Sequence, residues 1–168
     1  MSNVDHEEGC VFCRIVAGIE PATVVWNDDL TVAFLDRAPG TFGHTLVVPR
    51  RHFRDLLDAE PDDVAAVARA TQVLARAART AFGAEGVNVL QASGQAAFQT
   101  VFHLHFHMLP RYSDDKIVRP WLPKAGDRAE MERAGGMLRH ALGGVRKESE
   151  DSTRGSESDG RQTTITRG

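Results

Sequence analysis

The sequence predicts an α+β domain whose sheet is mainly antiparallel. Five short strand-like segments outnumber the helical segments along the chain, and no internal repeat occurs. A β-rich order with few helices is most economically satisfied by an antiparallel sheet with helices against it. With 168 residues, 42% apolar and 26% charged, the chain has the composition of one ordinary soluble domain that needs no disulfide scaffold.

Local signals predict the elements of the amino-terminal half in order. Residues 10–22, CVFCRIVAGIEPA, predict one or two helical turns that end at a glycine and a proline. Residues 23–27 and 30–35, TVVWN and LTVAFL, predict a β-hairpin with a polar turn. A third strand is predicted for residues 44–49, HTLVVP.

The clearest helix is predicted from Pro61 to Phe82. Proline suits the first helical position, acidic residues follow it, and Gly83 lies just past the end. Apolar or small residues recur every three or four positions, which predicts one face packed on a sheet. That face comprises Val64, Val67, Thr71, Leu74, Ala78 and Phe82.

Two more strands and a last helix complete the prediction. The strands are predicted within residues 87–92, VNVLQA, and residues 101–109, VFHLHFHML. Asp127 is expected to cap the last helix with Glu130 as its capping-box partner, and Gly135-Gly136 weakens the middle of that helix. We expect a flexible N-terminus over residues 1–9, a domain over 10–145 and a disordered polar tail over 146–168.

The charge and hydropathy of the chain exclude several classes of function. A formal charge of -3 gives no field that would attract a nucleic-acid polymer or an anionic membrane surface. No run approaches the roughly 18 apolar residues of a membrane span, and the start lacks a signal-peptide pattern. We therefore expect a cytoplasmic protein with reduced thiols, without a nucleic-acid or membrane partner.

Three histidines alternate with apolar residues in the last predicted strand. On a strand, His103, His105 and His107 would share one face, and Phe102, Leu104, Phe106 and Met108 would pack into the core from the other. The histidines could be an ordinary polar face, metal ligands, or a nucleophile with neighbours that orient its target. Spacing alone does not separate the last two. Gln99 and Thr100, just before the strand, form a donor-rich loop suited to phosphate oxygens.

The segment QTVFHLHFHML, residues 99–109, resembles the signature of the histidine triad (HIT) family, H-φ-H-φ-H-φ-φ with φ apolar, preceded by Q-[ST]-V-x. The resemblance extends to CVFCRIVAGIEPA, VAFLD, GHTLVVPRRH and Pro110-Arg111, and covers roughly residues 10–112. It implies a HIT-like fold: a mainly antiparallel five-stranded sheet with one long helix and a C-terminal helix.

The resemblance also implies a site for nucleotides. His105 matches the family's nucleophile, which attacks the α-phosphorus and carries a transient nucleotidyl group. His107 would hydrogen-bond a phosphate oxygen, while Gln99 and Thr100 would contact the α-phosphate and the leaving group. Asp36 matches the carboxylate that accepts the ribose hydroxyls. The resemblance places Phe12 and Phe34 in the walls of a base pocket, although either could be ordinary core.

Two positions depart from the family pattern. Phe98 stands where glycine is common, and Ala92 stands where asparagine is frequent. Either change could alter the range of substrates without removing the nucleophile.

The two cysteines have the C-x-x-C spacing of zinc ligands. One pair is only half of a tetrahedral site, and a pair of metal-free structural thiols is the alternative. The resemblance implies a structural zinc bound by Cys10, Cys13, His52 and His103, with His44 as the nearest competing ligand.

The resemblance implies a nucleotide hydrolase or nucleotidyl transferase. Hydrolysis is favoured over transfer to a sugar phosphate, because His107 stands where the transferase branches of the superfamily have glutamine. The bond cleaved would be at the α-phosphate of nucleotide conjugates, such as Ap4A and other dinucleoside polyphosphates, or nucleoside phosphoramidates. A purine nucleotide or conjugate would be the ligand and a homodimer the assembly. Three alternatives remain: a zinc-stabilised nucleotide-binding module without significant catalysis, a dinucleoside polyphosphate phosphorylase, and a metallohydrolase with the triad as ligands.

Overall fold

The computed structural model describes residues 7–118 and 123–157. The chain divides into two compact units, Met1–Val118 and Arg119–Gly168. Of the described elements, the first unit contains the five strands, two α-helices and a short 3₁₀ helix (Gln95–Ala97), and the second contains one long helix. Among the described residues, every helix is too short or too polar to span a bilayer. The single domain expected over residues 10–145 stays a prediction.

The first unit is one five-stranded antiparallel sheet, as the sequence predicts. Its neighbours run in the order β1-β2-β3-β5-β4, and each pair is antiparallel. Strands β1 and β4 therefore form the two edges. The elements in chain order are α1 (Val11–Val16), β1 (Val24–Asn27), β2 (Thr31–Leu35), β3 (Thr45–Pro49), α2 (Pro61–Phe82), β4 (Gly86–Leu90) and β5 (Phe106–Arg111).

The polar turn of the β1–β2 hairpin is organised by one aspartate. Asp28 Oδ1 accepts hydrogen bonds from the Thr31 amide at 2.6 Å and the Leu30 amide at 2.9 Å, and Oδ2 accepts one from the Trp26 indole at 3.0 Å. The carboxylate thereby satisfies the turn amides that no strand partner can reach, which is the usual role of aspartate in turns.

Helix α2 packs its small and apolar face on the sheet, as its spacing predicts. Gly83 ends the helix in the left-handed conformation at φ 64°. Phe82 departs from the prediction because its ring is partly exposed and packs edge-on against Phe42 at 5.2 Å. The buried residues of the helix are Asp63, Ala66, Val67, Ala70, Thr71, Leu74 and Ala78. Val67, Ala70, Leu74 and Ala78 form one apolar cluster with the sheet residues Ala33, Val47 and Met108.

Strand β5 is shorter than the sequence predicts. It begins at Phe106, so only the last of the three alternating histidines lies on a strand. The predicted alternation of buried and exposed side chains is wrong before that point: His103 and His105 are buried, at 0% and 4% exposure, while Phe102 is 40% exposed.

The strand starts late because of the neighbouring strand. β5 pairs with β3 only as far as Val47, opposite Phe106. Two residues further along β3 lies Pro49, which has no N–H to continue the ladder. The Leu104 amide bonds instead to the Phe53 carbonyl at 2.7 Å. Residues 101–105 therefore form an irregular segment in which two consecutive histidines of the triad turn inward.

The second unit contains α3 (Arg128–Glu157). Asp127 caps it as predicted, since its Oδ1 accepts the Glu130 amide at 2.9 Å. Gly135-Gly136 does not interrupt the helix. The helix continues to Glu157, into the segment for which composition predicts a disordered tail. Residues 1–6 and 158–168, where the remaining terminal predictions fall, lie outside the described residues, and the tail itself stays a prediction.

The loop before β3 depends on a glycine at position 43. Its φ is 82°, and a Cβ there would lie 2.6 Å from the Phe82 ring. We expect Gly43→Ala to lower the free energy of unfolding by about 2–3 kcal/mol, because backbone strain and a steric clash add. Gly18→Ala is the matched control, since Gly18 has φ 72° but open space around it. Chemical denaturation of both variants measures the difference, and equal losses would show that Phe82 moves aside freely.

Candidate functional site

A cavity of about 220 Å³ opens where α1, the end of β2, β3 and the segment before β5 meet. The residues that the sequence assigns to nucleotide binding or catalysis line it, with the exception of Gln99. Those present are Phe12, Phe34, Asp36, Thr100, His105 and His107. The apolar remainder of the wall is formed by Val11, Ile15, Ala22, Leu35, Leu46 and Val101, with Arg37 at the rim.

His105 is held by the backbone of another triad histidine. Its Nδ1–H donates to the His103 carbonyl at 2.6 Å, which leaves Nε2 as the unprotonated nitrogen of a neutral ring. Burial lowers the pKa of His105 below its ordinary value, although the bond to that carbonyl opposes the shift. Phe12 packs edge-on against the imidazole at 5.2 Å. The ring is therefore a neutral, oriented imidazole on the wall of the cavity.

His107 is oriented through a chain of hydrogen bonds that starts at a backbone amide. The Gly40 N–H can only donate, so His44 Nδ1 accepts from it at 3.1 Å. A neutral His44 then carries its proton on Nε2 and donates it to His107 Nδ1, 2.9 Å away. His107 consequently holds its own proton on Nε2. Because the Gly40 amide can only donate, this series of hydrogen bonds fixes the tautomers of both the His44 and His107 rings.

Burial keeps both of these imidazoles neutral. It lowers the pKa of His44, and it lowers the pKa of His107 to about 4, helped by the adjacent His105 and His44. Asp36 opposes both shifts, with a carboxylate oxygen 3.6 Å from His44 Nδ1. The carboxylate and this nitrogen do not form a hydrogen bond, because His44 Nδ1 already accepts a hydrogen bond from the Gly40 amide. We therefore assign the pair as a carboxylate beside a neutral ring.

The predicted base pocket and ribose ligand line the same cavity as His105 and His107. Phe12 and Phe34 are both buried and meet edge-on at 5.3 Å. Both rings belong to one apolar core cluster and also line the cavity, so the same two side chains serve as core and as pocket wall. Asp36 is partly exposed at the end of β2, where Oδ1 accepts the Ala38 amide at 2.8 Å.

Gln99 and Thr100 have different positions. Thr100 is exposed on the cavity wall. Gln99 is buried behind it: its Nε2 donates to the Arg54 carbonyl at 2.7 Å and to the Val101 carbonyl at 3.1 Å, while Oε1 accepts the Gly94 amide at 2.7 Å. In this structure Gln99 holds the loop together, and its contact with a phosphate stays a prediction.

Phe98 occupies a backbone position that favours glycine. Its φ is 67°, and it alone among the described non-glycine residues has a positive φ. Its side chain is 88% exposed, so core packing does not compensate for the strain, which is about 1–2 kcal/mol for such a residue. The backbone thus explains why glycine suits this position, but nothing in the structure explains the phenylalanine.

At the second departure from the family pattern, the Ala92 carbonyl accepts a hydrogen bond from the Gln91 side-chain amide at 2.9 Å.

Cys10, Cys13, His52 and His103 form a second cluster behind the triad. One donor atom from each lies within 4.8 Å of the others. Cys10 Sγ and Cys13 Sγ are each 3.5 Å from His103 Nδ1, and Cys13 Sγ is 3.3 Å from His52 Nδ1. Ligands on tetrahedral zinc, at about 2.0–2.3 Å from the ion, lie about 3.3–3.8 Å apart. The four residues therefore fit a zinc ion.

The outer nitrogens of both histidines in this cluster also have acceptors. His103 Nε2 lies 3.1 Å from the Pro49 carbonyl, and His52 Nε2 lies 2.8 Å from the Glu7 carboxylate. Such bonds direct Nδ1 toward a metal. Burial and the adjacent Cys10 thiol raise the pKa of Cys13 to about 11, so a bound cation is what would keep Cys13 as a thiolate.

Three residues of the site were not predicted in their observed roles. His44, expected as the nearest competing ligand of the cysteine cluster, lies outside that cluster; it bonds to His107 and forms a second group of possible metal ligands with Asp36 and His107. Arg37 and Glu7 belong to no motif that singled them out. The signal for His44 was present in the order of strands: it precedes β3, and β3 pairs with β5 through Leu46 and His107. The proximity of His44 to His107 follows only once the order of the strands in the sheet is known.

Comparison with known proteins agrees with this geometry. The model of the HIT domain family matches residues 18–114. An uncharacterised HIT-like protein of Mycobacterium tuberculosis is 43% identical over 79% of this chain and 92% of its own length. An adenosine 5′-monophosphoramidase of Schizosaccharomyces pombe is 36% identical over 63% of this chain and 77% of its own length.

Solved structures show the same fold. A protein from Streptococcus mutans UA159 superposes with a TM-score of 0.79 at 31% identity, covering 84% of this chain and 90% of its own. A zinc-bound histidine triad family protein from Mycobacterium smegmatis superposes with a TM-score of 0.63 at 42% identity, covering 83% and 97%. Motif, sheet order, cavity and relatives agree, and the chain belongs to the histidine triad (HIT) family.

Proposed function

We propose that this protein binds purine nucleotide conjugates and hydrolyses them at the α-phosphate through a nucleotidyl group carried on His105. One observation carries the proposal. The 2.6 Å bond from His105 Nδ1–H to the His103 carbonyl leaves a neutral ring whose Nε2 lone pair is the only basic site left on it. A neutral imidazole with one nitrogen anchored and the other on a cavity wall is an activated nucleophile.

The neighbouring side chains suit the two steps of such a reaction. In the first step His105 Nε2 would bond to the α-phosphorus while the bond to the leaving group breaks. In the second step water would break the N–P bond and release the nucleoside monophosphate. The hydrogen bonds from Gly40 to His44 and from His44 to His107 leave the His107 proton on Nε2, and this N–H would donate to a phosphate oxygen. Thr100 lines the same cavity. Asp36 would accept the ribose hydroxyls, and Phe12 and Phe34 would enclose the base.

Family relatives support the reaction class. The Schizosaccharomyces pombe relative is named an adenosine 5′-monophosphoramidase, so nucleoside phosphoramidates are the first candidates, and dinucleoside polyphosphates present the same α-phosphate. Among the described residues the three triad histidines do not share one metal site: His103 lies in the cysteine cluster, His107 lies in a second group of possible ligands with Asp36 and His44, and His105 lies in neither. A metallohydrolase with the whole triad as ligands is therefore disfavoured. A nucleotide-binding module would differ from the proposed enzyme because it would not turn over the conjugate. A phosphorylase would differ in its product, because phosphate would replace water as the attacking group.

We further propose that Cys10, Cys13, His52 and His103 bind a structural zinc. When bound, the ion would supply a closed tetrahedral cross-link and no open coordination position for catalysis. The cluster joins the start of α1 to the segment before β5, because Cys10 and Cys13 belong to the first and His103 to the second. A cytoplasmic location would keep the two thiols reduced for this role.

A homodimer is the assembly we propose. Strand β4 is an edge of the sheet, and its Val89 and Leu90 side chains are exposed. Val73 on helix α2 is also exposed. An unpaired edge with apolar side chains is a surface that a second copy would cover.

Replacing the nucleophile tests the reaction. We expect His105→Ala to reduce kcat by at least about 10⁴-fold on adenosine 5′-phosphoramidate and Ap4A, because the variant lacks the nitrogen that carries the nucleotidyl group. Rapid alkaline quenching of wild-type turnover should trap a nucleotidyl-protein that the variant lacks, because the N–P bond of a nucleotidyl-histidine survives alkali but not acid. His140→Ala, a histidine of α3 outside these contacts, is the control. Undiminished turnover by His105→Ala would exclude covalent catalysis, whereas nucleotide binding without turnover by the wild type would favour the binding module.

Zinc removal tests the second cluster. We expect about one zinc per chain, lost in Cys13→Ser, with a Tm lower by about 10 °C because metal binding contributes to folding free energy. His44→Asn should retain the metal, since its nitrogens face Gly40 and His107. Metal analysis of the purified variants, with thermal unfolding in chelator, measures both effects. Zinc retained by Cys13→Ser and lost by His44→Asn would reverse the assignment.

Acidification tests the neutral state of His107. Its folded pKa of about 4 lies below an unfolded value near 6.5, so its contribution is fully present above pH 6.5 and is lost as the pH falls toward 4. Solvent screening of the half-buried ring limits this contribution to about 1–2 kcal/mol. Urea unfolding at several pH values should show a shallower acid loss for His107→Gln than for the wild type. His140→Gln, an exposed site, should follow the wild type, and identical slopes for all three proteins would contradict the assignment.

A further inference from the structure

Three metal-ligating side chains meet on neighbouring strands beside the nucleotide cavity. Asp36 directly follows β2, His44 directly precedes β3, and His107 lies on β5, the next strand of the sheet. Strands β2 and β3 pair through Leu35 and Thr45, and the Asp36 amide continues this ladder by donating to the His44 carbonyl at 3.0 Å. The backbone pairing of the sheet therefore positions all three residues.

The distances within this group suit a metal ion. One donor atom from each of the three residues lies within 4.8 Å of the others. Asp36 Oδ2 is 3.6 Å from His44 Nδ1. Two ligands of a tetrahedral zinc ion lie about 3.3–3.8 Å apart, so this pair already has the required separation. The group shares no residue with the cysteine cluster and is a donor set of its own.

The charges of the group also favour a cation. Among the described residues no lysine or arginine forms an ion pair with Asp36, although its side chain is only 20% exposed. Charges that are largely withdrawn from water are normally paired or bound to a metal. The two neutral rings offer a lone pair each, on Nδ1 of His44 and on Nδ1 of His107. The group therefore has three ligands and lacks a positive charge.

We propose that Asp36, His44 and His107 bind a divalent transition-metal ion such as Zn²⁺ on the wall of the nucleotide cavity. Imidazole ligands suit zinc, copper, nickel and iron, whereas magnesium and calcium prefer a shell of oxygens. Three protein ligands would leave one position of a tetrahedral ion open, unlike the closed cysteine cluster.

This site should bind zinc more weakly than the cysteine cluster does. It offers one anionic ligand and no thiolate. Both lone pairs already accept hydrogen bonds that the ion must displace, from the Gly40 amide at 3.1 Å and from His44 Nε2–H at 2.9 Å. The purified protein should therefore carry one zinc per chain in the cysteine cluster and bind a second only when zinc is added.

The second ion would exclude the nucleotide, a consequence that rests on the proposed function. Asp36 Oδ1 already accepts the Ala38 amide at 2.8 Å, which leaves Oδ2 for either the ion or the ribose hydroxyls. Asp36 and His107 both line the nucleotide cavity. Zinc beyond the first equivalent would thus compete with the substrate.

Zinc titration of the purified full chain tests the site. We expect His44→Asn and Asp36→Asn each to weaken the second association by at least about tenfold, because even the loss of a metal ligand's outer partner costs about 10–100-fold in affinity. Both variants should keep the first zinc. His140→Asn and Asp29→Asn are the matched controls, since these exposed side chains lie outside the group, and should bind both ions. Isothermal titration calorimetry, with metal analysis after dialysis, measures the two ions separately.

A spectrum of the wild type decides the case in which the variants fail to fold. Co²⁺ added to the protein with zinc in its cysteine cluster should give the visible bands of nitrogen and oxygen coordination. A thiolate-to-cobalt charge-transfer band would show that the added ion binds the cysteines instead, and would overturn the site.

The titration separates this site from the proposed function. Three results overturn the site and leave the proposed hydrolysis standing: no second zinc in the wild type, a second zinc that His44→Asn and Asp36→Asn bind as tightly, or its displacement by excess Mg²⁺.

Adenosine tests the competition without a phosphate that would itself chelate the ion. At about ten times its own Kd, adenosine should weaken the second association about tenfold. A second zinc that depends on Asp36 and His44 but not on adenosine supports the metal site and contradicts the proposed contact between Asp36 and the ribose.

Discussion

The hydrogen bond between the His103 carbonyl and the His105 ring links the two halves of the site. His103 presents its Nδ1 to both cysteines while its own backbone oxygen holds the next triad histidine at 2.6 Å. One residue thus belongs to the metal cluster through its side chain and to the nucleotide cavity through its main chain. A shift of the segment before β5 would move both groups together, because the carbonyl and the metal-facing side chain belong to one residue.

Burial is the second constraint on the site. Three imidazoles lie side by side, with ring centroids 4.9 Å apart for His105 and His107 and 5.1 Å apart for His44 and His107. Desolvation and mutual repulsion keep rings at this distance neutral, and a neutral imidazole needs both a donor and an acceptor partner. The Gly40 amide and the His103 carbonyl supply them from the backbone. The resulting tautomers present one lone pair, on His105, and one N–H, on His107, which is what a nucleophile and a phosphate ligand require.

The regular elements were predictable because their signals are local. The limits of α2 follow from a proline, acidic residues and a left-handed glycine that lie within the helix or next to it. The β1–β2 hairpin follows from an aspartate that satisfies its own turn. Strand β5 was predicted too long, because its start depends on Pro49 in another strand, and no periodicity within residues 101–109 could reveal that partner. The same limit applied to His44, whose role depends on its neighbour across β3 and β5.

The sequence by itself determined the class of fold, the triad and the residue types of both clusters, since strand and helix periods, turn residues and motif spacing are all properties of neighbouring positions. The tertiary structure decided which way each histidine faces. It turned His103 toward the cysteines, anchored His105 on a carbonyl and joined His107 to His44, and it placed Gln99 behind the cavity wall with Thr100 on it. These outcomes depend on hydrogen bonds between residues as many as 93 positions apart, and only the folded chain brings such partners together.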